Sequence, residues 1–541
     1  MSFVDLAARV SVVLERPAGA VRPVRAALAA RTAGLTGRLP RHTPLLLVLL
    51  LGAVLRTWAL GAVGFNSDEA VYAGQAASLA GDPRTSALFP VFRAHPLLFQ
   101  TTLSVVYRLG GGDVAARLLV VALGLATVLV VYLLGRLLYG HRVGLVAALL
   151  LAAMPYHVGV SRQVLLDVPM TFMATTSLYF FARFCRDRCL RSLLTAAVLF
   201  GATVLTKETA VLLAGGLVAF GVLYPGVRPR VRDGLLALAA AGAVVAVHPL
   251  SLALSGRAST GQNYLAWQLF RRSNHSALFY LQVVPPAMGV AVIALAVAGL
   301  WLLRWSHSWR EGLLLCWAIT PVAFFEIWPV KGYQYLLVTA PAAVLLAARA
   351  ALRIPMPRRP AWRPAVSRGV RTGVVAAAVV SLVLPSWLAV NPVPTTTFLA
   401  GSGGLPAGRE MGRWIDANLP QGARLMAIGP STANIVRFYG HRPALGLSVS
   451  PNPLSRNPSY EPIDNPDREL RRGTIQYAVW DAFTASRSPF FADRLLRYVD
   501  KYNGIAVHTE TITVRLADGA EVEKPVMIVS VSYTHLTLPT N

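Results

Sequence analysis

The sequence predicts a polytopic α-helical membrane protein of about 11 transmembrane helices that carries a C-terminal extracytoplasmic α/β domain. Three observations predict it. Of the 541 residues, 55% are hydrophobic and the mean hydropathy is +0.53, far more than a soluble core needs. The apolar residues gather in runs close to the ~20 residues that a hydrocarbon core demands. Beyond residue 391 the composition turns to Pro, Gly, Asp and Ser, with short strand and helix patterns in alternation.

Taken in order, the first 41 residues carry Arg9, Arg16, Arg22, Arg25, Arg31, Arg38 and Arg41 without an early apolar h-region, and read as a cytoplasmic leader. The apolar runs fall at 43–62, 115–138, 143–158, 170–185, 192–206, 209–225, 234–254, 282–303, 311–328, 334–350 and 373–391, within a membrane domain of residues 42–391. The net charge of +26 would suit nucleic acid, but its distribution argues against that and makes the charge mostly topology. Connections holding Arg136 and Arg142, Arg183 to Arg191, Arg228 to Arg232, Arg304 and Arg310, and Arg349 to Arg371 share one parity, as the positive-inside rule requires. That register keeps the segment His95 to Leu109 from crossing. It is read as a juxtamembrane or re-entrant helix within an outer loop, residues 63–114.

With eleven crossings and an inner amino terminus, the C-terminal region lies outside, in a protein of the cell membrane. Residues 392–530 read as a small α/β domain, with helices at Glu410 to Asn418 and Thr432 to Tyr439 and strands at Arg424 to Ile428, Ala444 to Val449, Ile475 to Trp480 and Pro525 to Ser530. Residues 531–541 match one reading frame of a common sequencing adapter and are set aside as an artefact. Cys185, Cys189 and Cys316 support neither a disulfide framework nor a four-ligand zinc site, and read as three packed thiols.

No Walker A motif, no Gly-x-Gly-x-x-Gly after a strand and no Asp-x-Asp pair is present, which disfavours a soluble nucleotide donor. The outer face instead collects Asp68, Glu69, Tyr72, His95, Arg162, Asp167, Lys207, Glu208, Glu326, Lys331, Tyr333 and Tyr335. Ionised groups at a lipid boundary are costly and usually functional. The chain has four lysines, Lys207, Lys331, Lys501 and Lys524, and the rest of its 51 basic residues are arginine. Lysine is a compact point charge suited to a phosphate oxygen, so two at outer helix ends suit one anionic headgroup; snorkelling or local ion pairing is the structural alternative.

Asp68-Glu69-x-x-Tyr72, His95-Pro96-Leu97-Leu98, Gly112 to Arg117, Ser161-Arg162-x4-Asp167-x-Pro169, Gly201-x4-Thr206-Lys207 and Lys331-x3-Tyr335-x5-Pro341 occur in this order. Over roughly residues 40–350 this series resembles the dolichyl-phosphate-mannose protein mannosyltransferase-like family of GT-C membrane glycosyltransferases, which includes the bacterial aminoarabinose lipid A transferases. The resemblance implies transfer of a sugar, with inversion, from a polyprenyl-phosphate carrier to a protein, lipid or glycan acceptor on the outer face. It implies that Asp68 is the catalytic base, that Asp167 supports the same cavity, and that Lys207 and Lys331 serve the carrier phosphate; beside these, Glu69 is read as a supporting acid and His95, Tyr335 and Arg162 as further candidates for the carrier phosphate. The chain departs from the family's Lys-Pro-Pro or His-Pro-Pro at Leu97.

The chemistry is consistent on its own terms. A glycosyl phosphate already has a good leaving group and needs charge stabilisation, while the acceptor needs a base. Structural readings stand beside these: Asp68 after Ser67 is equally a helix N-cap, Asp167 is a cap for the next span, His95 before Pro96 is a loop residue, and Glu326 neutralises Lys331. A divalent metal is left open, since Asp68, Glu69, Asp167 and His95 offer ligands at no diagnostic spacing. The competing classes are a lipid-linked sugar flippase or transporter and a non-catalytic envelope assembly factor. A transporter would carry repeats and charges at the midplane, which this sequence lacks.

Overall fold

A computed structural model describes residues 42–91, 95–271, 273–306, 308–353, 364–391, 405–515 and 520–531. The arginine-rich leader, part of the connection after residue 353, the start of the α/β region and the adapter-like end lie outside the described residues. The described residues from Leu49 onward belong to one compact unit, and that unit holds the site.

Helices α1 (Thr43–Thr57), α2 (Ser67–Ala80), α3 (Pro83–Ser86) and α4 (Leu98–Arg108) open the chain. They are followed by α5 (Asp113–Tyr139), α6 (His141–Ala153), α7 (Pro155–Ser161), α8 (Asp167–Asp187), α9 (Leu190–Thr206) and a 3-10 turn, Glu208–Leu212. Then come α10 (Leu213–Leu223), α11 (Val231–Val245), α12 (Val247–Leu254), α13 (Ala258–Leu269), α14 (Phe279–Met288), α15 (Val290–Ser306), α16 (Trp309–Ile327), the 3-10 turn Tyr333–Thr339, α17 (Ala340–Arg353) and α18 (Pro364–Val390). All eleven apolar runs fall on helices. By length and composition four of the described helical stretches suffice to cross a membrane, Asp113–Tyr139, Val231–Leu254, Tyr333–Arg353 and Arg368–Val390, and six do if each bent pair is one span.

The helical core forms where α5, α6, α8 and α17 pack, burying Val131, Leu134, Ala147, Leu151, Leu178, Leu345 and Ala348. Small residues permit the approach of α5 and α6. A Cβ on Gly144 would stand 2.5 Å from the Tyr132 carbonyl oxygen, so only glycine fits, as is common where helices meet without water to drive them together. Pro155 breaks the α6–α7 span with a 60° bend, because it has no N–H to continue the ladder. The carbonyls exposed at the break are answered by side chains: Arg56 Nη1 donates to Ala152 at 2.9 Å and Ser386 Oγ to Ala153 at 2.6 Å. Among the cysteines, Cys185 is buried and Cys316 half-buried, but Cys189 is exposed at the start of α9, which corrects the expectation of three packed thiols.

The C-terminal region contains α19 (Gly408–Asn418), β1 (Leu425–Ala427), α20 (Pro430–Gly440), β2 (Ala444–Gly446), α21 (Pro466–Arg471), β3 (Tyr477–Asp481), α22 (Ala482–Arg487), α23 (Pro489–Lys501), β4 (Ile505–Arg515) and β5 (Glu521–Ser530). The strands make one sheet in the order β2-β1-β3-β5-β4, with β1 parallel to β2 and β3, and β5 antiparallel to β3 and β4. Met426, Ile428, Ala478, Leu495 and Val529 fill its core. The four expected strands and two expected helices are present. The hairpin formed by β4 and β5 extends that expectation, since its outer half alternates polar and apolar residues and is largely solvated.

Candidate active site

A cavity of about 1020 Å³ opens between the helices and the α/β region. Its walls include Asp68, Tyr72 and His95 from the first loop, Lys207 and Glu208 after α9, and Tyr264, Trp267 and Arg271 from α13 and the segment after it. Lys331 and Tyr335 complete the helical side, and Ser450, Arg456 and Tyr460 come from the α/β side.

Asp68 reaches this chamber because it is not the helix cap. That role belongs to Asn66, whose Oδ1 accepts from the N–H groups of Asp68 and Glu69 at 3.0 Å each, while Glu69 Oε2 accepts from Asn66 N in return. The reciprocal arrangement is a capping box, and it leaves the Asp68 side chain on the second position of α2, half-buried against the cavity. The cap expected at Asp68 therefore lies two residues earlier, at Asn66.

Glu69 does not line the chamber. Arg117 grips both of its carboxylate oxygens, Nε to Oε1 at 2.9 Å and Nη2 to Oε2 at 2.8 Å, and Val164 N donates to Oε1 at 2.9 Å. Arg117 also donates to the carbonyls of Leu60, Val63 and Gly64, so the pair is the hub on which the loop after α1 folds. Here the structure departs from the expectation that Glu69 supports the chemistry: every lone pair it offers is taken by the scaffold. Arg162 likewise turns away, donating to the carbonyls of Leu55 and Arg56 at 3.3 and 3.0 Å. It secures the end of α1 and is not placed to meet a carrier phosphate.

Asp167 begins α8, yet makes no cap; its Oδ1 accepts from Lys207 Nζ at 2.7 Å. Both are buried, and the ammonium also lies 4.7 Å from the centroid of the Tyr335 ring. Asp167 borders a small void beside the chamber, with Lys207 and Tyr335 between the two spaces. Lysine has three N–H donors, so the ion pair leaves donors available on the cavity side. His95 Nδ1 lies 2.8 Å from Glu208 Oε2, and its ring stands edge-on to Tyr72 and Tyr264. Lys331 Nζ donates to the carbonyl of Glu326 at 2.6 Å and lies 3.6 Å from its Oε2, so the expected turn-spanning neutralisation is present. Asn274 brackets the Lys331 backbone with two hydrogen bonds, 2.8 and 2.9 Å.

The chamber also contains cations that motif reading passed over. Arg271 stacks 4.3 Å from the Trp267 ring centroid and donates to Gln268 at 3.1 Å, and Arg456 donates to the Pro451 carbonyl at 2.6 Å. Neither is in an ion pair with a carboxylate among the described residues. The aromatic-rich stretch Tyr264 to Phe270 was the available signal for Arg271. Among the described residues no group of three or more His, Cys, Asp or Glu side chains is arranged to hold a metal ion. Asp167, Glu69 and His95 are each directed to Lys207, Arg117 and Glu208 instead.

Helices walling a cavity that holds an acidic first loop, beneath an α/β cap, define the GT-C fold of membrane glycosyltransferases. The chain has that fold. Residues 94–252 match the model of the dolichyl-phosphate-mannose-protein mannosyltransferase family. The structure is similar to the crystal structure of ArnT from Cupriavidus metallidurans bound to undecaprenyl phosphate, with a TM-score of 0.66 at 16% identity, covering 90% of this chain and 98% of that one. It is also similar to the oligosaccharyltransferase AglB from Archaeoglobus fulgidus in complex with an inhibitory peptide and a dolichol-phosphate, with a TM-score of 0.55 at 13% identity, covering 92% and 75%. A comparison with curated proteins finds no match.

Proposed function

We propose that this protein is a multi-pass enzyme of the cell membrane that moves a sugar from a polyprenyl-phosphate carrier to an acceptor on the outer face, with inversion. The observation that carries the reading is the shared chamber: the half-buried Asp68 carboxylate and the cations Lys207, Arg271 and Lys331 line a single cavity, in which Glu208 is paired with His95. The match to a mannosyltransferase family model over residues 94–252 and the likeness to ArnT, solved with undecaprenyl phosphate, support the carrier class.

Asp68 accepts the proton from the acceptor hydroxyl or amine as that atom bonds to the anomeric carbon, and the bond from that carbon to the carrier phosphate oxygen breaks. The departing phosphate carries the electron pair, and the cations stabilise its growing charge. Arg271 offers a planar fork to two phosphate oxygens, and Lys207 offers the donors not used by Asp167. Attack from the Asp68 side opposite the phosphate gives inversion. The eleven apolar helices cross the membrane, the amino terminus lies inside, and the α/β region stands outside over the chamber.

Membranes containing the protein, supplied with a polyprenyl-phosphate donor carrying a labelled sugar, are expected to transfer label to an endogenous acceptor. Movement of intact donor across liposomes without transfer would indicate a flippase and overturn this reading.

A further inference from the structure

The turn that precedes Asp68 is held by the α/β region as well as by the membrane helices. The Tyr439 hydroxyl, on α20, accepts from the backbone N–H of Phe65 at 2.7 Å and donates to Asp113 Oδ2, at the start of α5, at 2.6 Å. Asn434, five residues earlier on the same helix, donates to Ser67 Oγ at 3.1 Å. Phe65 packs against the rings of Phe438 and Tyr439, with centroids 5.2 and 6.1 Å away. Residues 65 and 67, on either side of the capping residue Asn66, are therefore fixed from α20, and Asp68 follows directly. Tyr439 is itself immobilised, since a Cβ on Gly412 of α19 would stand 2.3 Å from its own Cβ.

We propose that the α/β region is a working part of the active site, with Tyr439 and Asn434 as positioning residues that hold Asp68 at the chamber wall. The inference rests on the reading of Asp68 as the base. A region serving only as a surface appendage has no need of side chains inserted into the first turn of α2. A misplacement of about 1 Å in a reacting group can lower a rate by roughly a hundredfold, so the loss of either hydrogen bond acts on turnover through Asp68. The Asn434 amide also lies 3.4 Å from the hydroxyl of Tyr460, which lines the chamber, so the same residue joins the α/β wall of the cavity to the base.

The test uses the full-length purified protein in lipid nanodiscs, with Tyr439→Phe, Asn434→Ala, Ser67→Ala and the Asn434→Ala/Ser67→Ala double variant, alongside Asp68→Asn. Both α20 variants are expected to lower kcat about ten- to a hundredfold while the donor KM stays within twofold, and the double variant is expected to be no worse than its singles. Wild-type kcat in Tyr439→Phe and Asn434→Ala, with Asp68→Asn inactive, overturns the inference and leaves the base assignment standing. Losses that follow only the yield of folded protein, or that multiply in the double variant, also overturn it. If Asp68→Asn retains transfer, the base assignment itself is what fails. Should Tyr439→Phe not fold, Asn434→Ala and Ser67→Ala decide the matter by the same kcat and KM readout.

Discussion

Arg117 and Glu69 form the buried, bidentate ion pair around which the loop after the first apolar helix is built, with N–O distances of 2.9 and 2.8 Å. The residue that looked like a second catalytic acid is therefore a scaffold element. Removing one partner strands the other charge in a buried site, at a cost of about 3–5 kcal/mol. Glu69→Ala is expected to lower the thermal midpoint of the purified protein sharply. A Glu69→Ala protein with wild-type stability and selectively reduced transfer would return Glu69 to the chemistry.

Asp68 is expected to behave in the opposite way. Because Asn66 supplies the cap, Asp68→Asn is expected to keep the wild-type melting profile while transfer falls by about 10²- to 10⁴-fold, the usual contribution of a general base. Asn66→Ala should show the complementary pattern, losing about 1 kcal/mol of stability with its cap. Differential scanning fluorimetry run beside the transfer assay separates the two.

Arg271 is expected to act on the donor. Hydrogen bonds to charged groups contribute about 1.5–3 kcal/mol, so Arg271→Ala should raise the donor KM at least tenfold. Arg271→Lys should recover only part, because an ammonium cannot reproduce the planar fork or its stacking on Trp267. An unchanged KM in a titration of polyprenyl-phosphate sugar would remove Arg271 from the phosphate site.

Orientation is open to direct measurement. Thr511, exposed on β4, is expected to react as Thr511→Cys with a membrane-impermeant maleimide added to intact cells. Protection in intact cells, with labelling only after lysis, would invert the topology.

The seam between α3 and the α/β region should loosen in acid. Arg84 of α3 bonds to Asp416 of α19, with His441 and Arg442 nearby. Burial alone would push the Asp416 carboxyl up, but the Arg84 hydrogen bond and the charges of His441, Arg84 and Arg442 together hold it below the usual carboxylate range. Burial, aided by the Arg84 charge, pushes His441 below the ordinary imidazole range. Both depressed values give stability that is present at neutral pH. The His441 part fades as pH falls below the ordinary imidazole value, and the Asp416 part as pH falls below the ordinary carboxylate value. Hydrogen exchange in α19 is expected to rise stepwise on acidification, and Asp416→Asn should abolish the lower step.

Much of the architecture was legible in the chain itself. Apolar runs of membrane length mark helices whatever their neighbours, because backbone groups in lipid must be satisfied within the segment. The strands at Leu425–Ala427, Ala444–Gly446 and Tyr477–Asp481 announced themselves as short apolar stretches between turn residues. The ordered motifs also singled out Asp68, Asp167, Lys207 and Lys331 before any geometry was known.

What the sequence determined is the inventory: which segments are helical, which acids and lysines lie at helix ends, and which short segments are strands of the α/β region. Only the tertiary structure decided their partners. Adjacent carboxylates on one helix turn point about 100° apart, so Asp68 meets the chamber while Glu69 meets Arg117, 48 residues on. Lys207 finds Asp167 across two helices, and Tyr439 reaches Phe65 from 374 residues away. Contacts of that separation are set by packing, which no local pattern encodes.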